Sequence, residues 1–246
     1  PRHRLALITG GCGGIGLACA RAFGVNNDLI LTDLAADRLE TTASLLRDEG
    51  YIIRATPAGD FASDVVLDAI EGTVRDWGPL GVLVHAAGLS PAMADWKTLI
   101  KVNTIGTTRF IDRIEHMIGD GMVGVLISSM AGHVAPCDAA VDALLDDPLR
   151  PGLIKAIEPE LRRVSAMHNR TDIGMPASAY TKRAMIRMAE RRAERWATVG
   201  ARIVSISPGV TWTPMGRLET ELDDAANVLD HTPLRRWCTA MDVAQA

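Results

Sequence analysis

The chain has 246 residues, 48% of them hydrophobic and 23% charged, with a formal net charge of −4. That length suffices for the core of one α/β domain, and the acidic balance gives no electrostatic support to a nucleic-acid partner. The basic start Pro1-Arg2-His3-Arg4 leads into too short an apolar run for a signal peptide, and nothing points to a membrane, so the expectation is one cytoplasmic domain over residues 1–246. Cys12, Cys19, Cys137 and Cys238 lack metal-binding spacing and the histidines are scattered, so free thiols and no metal site are expected.

In chain order, Leu5-Ala6-Leu7-Ile8 reads as a strand, Thr9-Gly10-Gly11-Cys12-Gly13-Gly14-Ile15-Gly16 as a glycine turn, and Leu17 to Phe23 as a helix. Glycines let a ligand approach the backbone, and a helix start offers unpaired N–H groups to a phosphate. Tight strand–helix packing alone is the plainer use of such a turn. The next apolar run, Leu29 to Thr32, ends at Asp33. A carboxylate there accepts hydrogen bonds from ribose hydroxyls and repels a 2′-phosphate, which favours NAD over NADP; a helix cap is its other use.

Strand and helix then alternate. Arg38 to Arg47 predicts a helix, Tyr51 to Ala55 a strand, Val65 to Trp77 a helix, and Gly81 to His85 a buried strand. Helix over Asp95 to Ile118, a strand over Val123 to Ser129, helix from Ala179 to Ala197 and a strand over Ala201 to Ile206 complete the pattern. The fold class is therefore α/β, a Rossmann-like doubly wound parallel sheet that binds its ligand at the carboxyl ends of the strands.

Five ordered motifs resemble the short-chain dehydrogenase/reductase family: the glycine turn with Thr9, Gly10, Gly14 and Gly16; His85-Ala86-Ala87-Gly88; Val102-Asn103; Ile127-Ser128-Ser129-Met130-Ala131-Gly132; and Ser207-Pro208-Gly209 with Thr213-Pro214. The resemblance implies reversible hydride transfer between NAD and an alcohol or ketone. It assigns Ser129 to the substrate oxygen, Tyr180 to acid/base work, Lys182 to lowering the phenol's pKa and binding ribose, and Asn103 to a proton-relay water. Cofactor contacts fall to Gly10, Cys12, Gly14, Ile15, Gly16, Asp33, Asp60, Phe61, Ala87, Gly88, Pro208, Val210 and Thr213, with Asp60 at adenine and Thr213 at the carboxamide. Each polar residue has a plainer use as a turn, cap or core group. His85 stands where the family usually has Asn, either substituting for it or sitting satisfied in the core, and His133 is within reach of a substrate or an incidental neighbour.

One departure bears on the chemistry. The family spaces Tyr and Lys four residues apart, whereas Tyr180 and Lys182 are two apart, roughly 200° around a helix. The position four before Lys182 is Ser178. Three explanations stand: Tyr180 precedes the helix and swings round, the chain has lost catalytic competence, or residues are missing between Thr181 and Lys182. The stretch Asp242 to Ala246 resembles the start of a helix that the family follows with a final strand.

The segment from 133 to 178 is a predicted helical insertion, with helical apolar spacing over Ala139 to Leu145 and Gly152 to Val164 and a break at Asp146-Asp147-Pro148. It is expected over the substrate pocket or at a subunit contact. A similar insertion marks the branch resembling bacterial 3α-hydroxysteroid dehydrogenase/carbonyl reductase, which implies a bulky apolar, steroid-like alcohol or ketone. The arginines from Arg183 to Arg195 read as a solvated or subunit-facing helix side, and Met185, Met188 and Trp196 as packing residues. By resemblance the protein forms a homodimer or homotetramer. The reading is an NAD-dependent oxidoreductase; its alternative is an inactive NAD-binding sensor or scaffold.

Overall fold

The central strand is β1 (Arg4–Thr9), whose Leu5, Ala6, Leu7 and Ile8 are buried because helices cover both faces of the sheet. The computed structural model describes residues 4–169, 171–222, 229–230 and 232–246, so the first three residues of the basic start lie outside the described residues. With β2 (Asn27–Thr32), β3 (Ile53–Ala55), β4 (Leu80–His85), β5 (Val123–Ile127) and β6 (Arg202–Ile206), β1 forms a parallel sheet in the order β3-β2-β1-β4-β5-β6. The chain crosses from one half to the other between β1 and β4, where Thr9 pairs with Thr32 on one side and with His85 on the other. In such sheets the crevice for a ligand opens at that switch point.

The helices are α1 (Gly14–Gly24), α2 (Ala36–Asp48), α3 (Asp64–Trp77), α4 (Trp96–Leu99), α5 (Thr107–Ile114), α6 (Ala131–Val134), α7 (Ala139–Asp146), α8 (Leu153–Met167), α9 (Gly174–Ala197), α10 (Pro214–Leu222) and α11 (Ala240–Gln245). The predicted doubly wound α/β class is the observed one.

Four boundaries differ from expectation. β3 is confined to Ile53–Ala55, and the predicted helix after Asp95 is broken by a π-helical segment, Ile100–Gly106, that contains Asn103. β5 ends at Ile127, so Ser128 and Ser129 stand beyond the sheet. α9 begins at Gly174 rather than Ala179, which places Tyr180 inside a regular helix and removes the explanation that it precedes one.

α7 and α8 of the insertion bury Val141, Leu145, Leu153, Ile157 and Leu161 in a cluster shared with Ile100, Ala177 and Tyr180. Each such aliphatic side chain contributes about 1.5–3 kcal/mol relative to exposure. Arg183 makes a bidentate pair with Asp142 at 2.7 Å, Arg187 binds Asp142 and Asp146, and Arg191 binds Asp146. Arg192 and Arg195 bind Glu115 below α5. The arginine face expected to be solvated or subunit-facing is thus also engaged within the chain: these side chains clamp α9 to the insertion and to α5. Met185, Met188 and Trp196 are buried packing residues, as their spacing suggested.

Candidate active site

The glycine turn leaves β1 through Gly10, whose φ of +68° is a left-handed conformation natural to glycine. A Cβ on Gly10 would stand 2.9 Å from the Ala87 nitrogen, one on Gly16 would collide with the Gly10 carbonyl, and one on Gly14 would come within 2.6 Å of the Thr213 methyl. Gly13 precedes α1 without a capping side chain, so the first-turn amides of that helix are left for a ligand. This backbone cradle fits the pyrophosphate of a dinucleotide.

Asp33 ends the next strand. Its Oδ2 accepts the Cys12 amide at 2.9 Å and its Oδ1 the Leu34 amide at 2.8 Å, so the carboxylate is held against the glycine turn. Arg38 donates to the Cys12 carbonyl at 3.4 Å. Asp60 is exposed, and its Oδ1 accepts the Ala62 amide in the turn before α3. The Phe61 ring is buried edge-on to His85 and Phe110, 5.0 and 5.7 Å between centroids, so any contact of Phe61 with adenine falls to its main chain.

His85 resolves into the satisfied core histidine. Nδ1 lies 2.8 Å from Thr9 Oγ1 and Nε2 lies 2.9 Å from Thr107 Oγ1. Thr9 Oγ1 also accepts the Ala87 amide at 3.1 Å, so the arrangement that uses every group has Thr9 donating to Nδ1 and Nε2–H donating to Thr107. Burial, reinforced by the charge of Lys182, pushes this imidazole down to about 3 and keeps it neutral.

Asn103 is fully buried. Its Oδ1 accepts the Leu89 amide at 2.8 Å, and its Nδ2 donates to the Leu89 carbonyl at 2.8 Å and to Thr181 Oγ1 at 3.3 Å. Both amide hydrogens are spent on these partners, as a buried amide requires. Its effect is to fix the loop carrying Ala87 and Gly88.

Beyond β5, Ser128 donates to the Lys182 carbonyl at 2.8 Å, while Ser129 Oγ accepts the Ala131 amide at 3.2 Å and keeps its own O–H to donate. Lys182 donates from Nζ to the Ile127 carbonyl at 3.3 Å. A Cβ on Gly132 would lie 2.8 Å from the Arg183 nitrogen, so α6 packs directly on the Lys182–Arg183 backbone. Burial pushes the Lys182 ammonium down to about 8, with Glu219 opposing the shift.

Tyr180 is the main correction. Its side chain is fully buried, its hydroxyl donates to the Pro136 carbonyl at 2.9 Å, and burial pushes the phenol up to about 12. The structure does not bring it into register with Lys182, because two residues on a regular helix turn the side chains apart. Ser178 holds the position one turn before Lys182 and lines the same cavity.

That cavity, of about 570 Å³, runs from Ile15 and Gly88 past Ser129 and Lys182 to Pro208, Val210 and Thr213. Val134, Ala135, Val164, Met175 and Met215 supply its apolar wall. Thr213 is buried and accepts the Gly216 amide at 3.1 Å, opening α10. Pro208 accepts the Met130 amide at 2.9 Å, and Val210 accepts the Cys238 amide at 3.1 Å. His133 is occupied with Ser207 at 2.9 Å. Sequence reasoning missed Pro136, whose carbonyl captures Tyr180, and His168 just after α8, whereas Val164 lies in a helix expected over the pocket or at a subunit contact.

A doubly wound parallel sheet with a phosphate-binding glycine turn and a serine and lysine at its switch-point crevice defines a dinucleotide-dependent oxidoreductase. The profile of the short chain dehydrogenase family matches residues 4–141, and the chain belongs to that family. It is 28% identical to the short-chain dehydrogenase/reductase bsc3 of Alternaria brassicicola, over 97% of this chain and 85% of that protein. Its fold is that of NAD+-bound xylitol dehydrogenase, at 20% identity and a TM-score of 0.75 over 98% of this chain and 89% of the other. A variant of actinorhodin polyketide ketoreductase with NADPH superposes with a TM-score of 0.73 at 19% identity, over 99% and 88% of the two chains. No helix among the described residues is long and apolar enough to cross a membrane.

Proposed function

We propose that this oxidoreductase is NAD-dependent and interconverts a bulky, apolar secondary alcohol, steroid-like in bulk, with its ketone. One observation carries the reading: the cavity that exposes Ser129 and Lys182 is continuous with the glycine-turn end of the sheet and is walled mostly by apolar side chains, with Ser178, His168 and Glu219 among its few polar ones. Such a wall gains from removing apolar substrate surface from water and leaves the few polar groups to fix orientation.

The cofactor would lie along Gly10, Cys12, Gly14, Ile15 and Gly16, with Asp33 at the adenosine ribose, Asp60 and the Phe61 backbone near adenine, and Ala87, Gly88, Pro208, Val210 and Thr213 at the nicotinamide end. Bound there, it accepts or delivers the hydride. Ser129 donates its hydroxyl to the substrate oxygen, and the Lys182 ammonium stabilises negative charge developing on that oxygen. Asp33 supports NAD because its carboxylate would face a 2′-phosphate as like charge.

The test is to titrate NAD and NADP by protein fluorescence and then assay reduced-nicotinamide formation with a panel of secondary alcohols that includes steroids. NAD binding at least tenfold tighter than NADP, with turnover of a bulky alcohol, is the expected result. Absence of dinucleotide binding overturns the reading.

A further inference from the structure

We propose that the Lys182 ammonium, not the Tyr180 phenol, exchanges the proton with the substrate oxygen; this rests on the dehydrogenase reading above. Three observations combine. Tyr180 borders the cavity, but its hydroxyl is already donated to the Pro136 carbonyl, on the side of the insertion's apolar cluster. The residue one helical turn before Lys182 is Ser178, whose hydroxyl is a poor acid. Lys182 itself reaches the end of β5, donating to the Ile127 carbonyl two residues before Ser129, and lines the same cavity as that serine.

The surroundings prepare the ammonium for transfer. Main chain and side chain of Lys182 are both tied to the end of β5 and the residue after it, through Ile127 and Ser128, so its position is set independently of Tyr180. A Cβ on Gly88 would stand 3.8 Å from Nζ and 3.3 Å from Asn103 Oδ1, so the glycine keeps the space between these two groups clear. Around Lys182, β4 presents His85, held neutral by burial, and α10 presents Glu219, which favours the ammonium. The residues just after β5 and the π segment present the uncharged Ser128, Ser129 and Asn103; His133 of α6 is bonded to Ser207, and Arg183 of α9 to Asp142. Burial outweighs Glu219 and brings the group down to about 8, where it both holds and releases a proton near neutral pH.

In the reducing direction the ketone carbon gains a hydride, and with it two electrons, from the dihydronicotinamide, which is oxidised. As the carbonyl π bond opens to an alkoxide, a Lys182 N–H bond breaks and an O–H bond forms. The neutral amine then regains one proton from the solvent, so that each turnover consumes one solvent proton. Oxidation of the alcohol reverses each change.

Two experiments test this. The first needs no cofactor: the four lysines, Lys97, Lys101, Lys155 and Lys182, are reductively methylated with 13C and titrated by NMR, with Lys182→Arg assigning the signal. Lys182 is expected to titrate near 8; a Lys182 signal that titrates at the ordinary lysine value of about 10.4 overturns the proposal. The second is kinetic. Tyr180→Phe keeps kcat within about threefold and keeps the pH profile, whereas Lys182→Met loses roughly 100-fold or more in kcat, the scale of a lost general acid, while still binding NADH. Lys182→Arg, which retains charge but does not release a proton, does not restore the rate. Loss of turnover in Tyr180→Phe with NADH binding intact, or rescue by Lys182→Arg, overturns the assignment. Failure of the unsubstituted protein to bind NADH overturns the dehydrogenase reading itself, and the NMR titration separates that failure from failure of the lysine assignment.

Discussion

Tyr180 and Lys182 leave α9 in different directions, the phenol donating to the Pro136 carbonyl at 2.9 Å and the ammonium to the Ile127 carbonyl at 3.3 Å. The first contact holds the insertion on α9 and the second ties α9 to the sheet. One helix thus joins the cavity wall and β5, with the polar end of each side chain committed to a different layer.

Replacing Gly16 by Ala is expected to weaken dinucleotide binding. The new Cβ would collide with the Gly10 carbonyl, and the backbone has no flexible side-chain end to yield. Overpacking of this kind costs about 1–3 kcal/mol. A fluorescence titration with NADH should show at least a tenfold weaker Kd, together with a lower Tm.

The Asp33→Ala variant probes dinucleotide preference. The turn loses acceptors for the Cys12 and Leu34 amides, and the site loses its negative charge. NAD binding should weaken about tenfold, the scale of about 1.4 kcal/mol for charge-assisted hydrogen bonds, whereas NADP binding should hold or improve. Parallel Kd measurements with both dinucleotides read the ratio.

His85 predicts a pH dependence of stability. Its folded value of about 3 lies below the ordinary value of about 6.5, so the unfolded chain binds the proton more readily in this window. The contribution of neutral His85 is fully present above about 6.5 and is lost as pH falls towards 3, at up to about 1.4 kcal/mol per pH unit. Urea midpoints at pH 7.5, 6 and 5 should fall steadily, and His85→Asn should flatten that slope.

Asp142 joins Arg183 and Arg187 across half-buried contacts, and the Arg183 guanidinium holds its carboxyl below the usual carboxylate range. Asp142→Asn takes the carboxylate from Arg183 and leaves Arg187 with Asp146 alone. A loss of about 1–3 kcal/mol is expected, discounted for the solvent that reaches Arg187. Hydrogen exchange should accelerate in α7 and leave β1 and β4 unchanged; a uniform acceleration would count against a local clamp.

The alternating apolar runs, the glycine turn and the lysine-to-Ser178 spacing were legible in the sequence because each depends on local geometry: strand burial, backbone freedom and helical period. The doubly wound class and the positions of Gly10, Gly16 and Asp33 at the crevice follow from that local grammar. Tertiary structure alone decided the fate of the polar side chains. His85 found Thr9 and Thr107, Asn103 found Leu89, Tyr180 found Pro136, and the arginines of α9 found aspartates about forty residues away. A buried donor must be satisfied by whatever group the fold brings within 3 Å, and that partner is fixed by packing between distant segments rather than by anything in the residue's own neighbourhood.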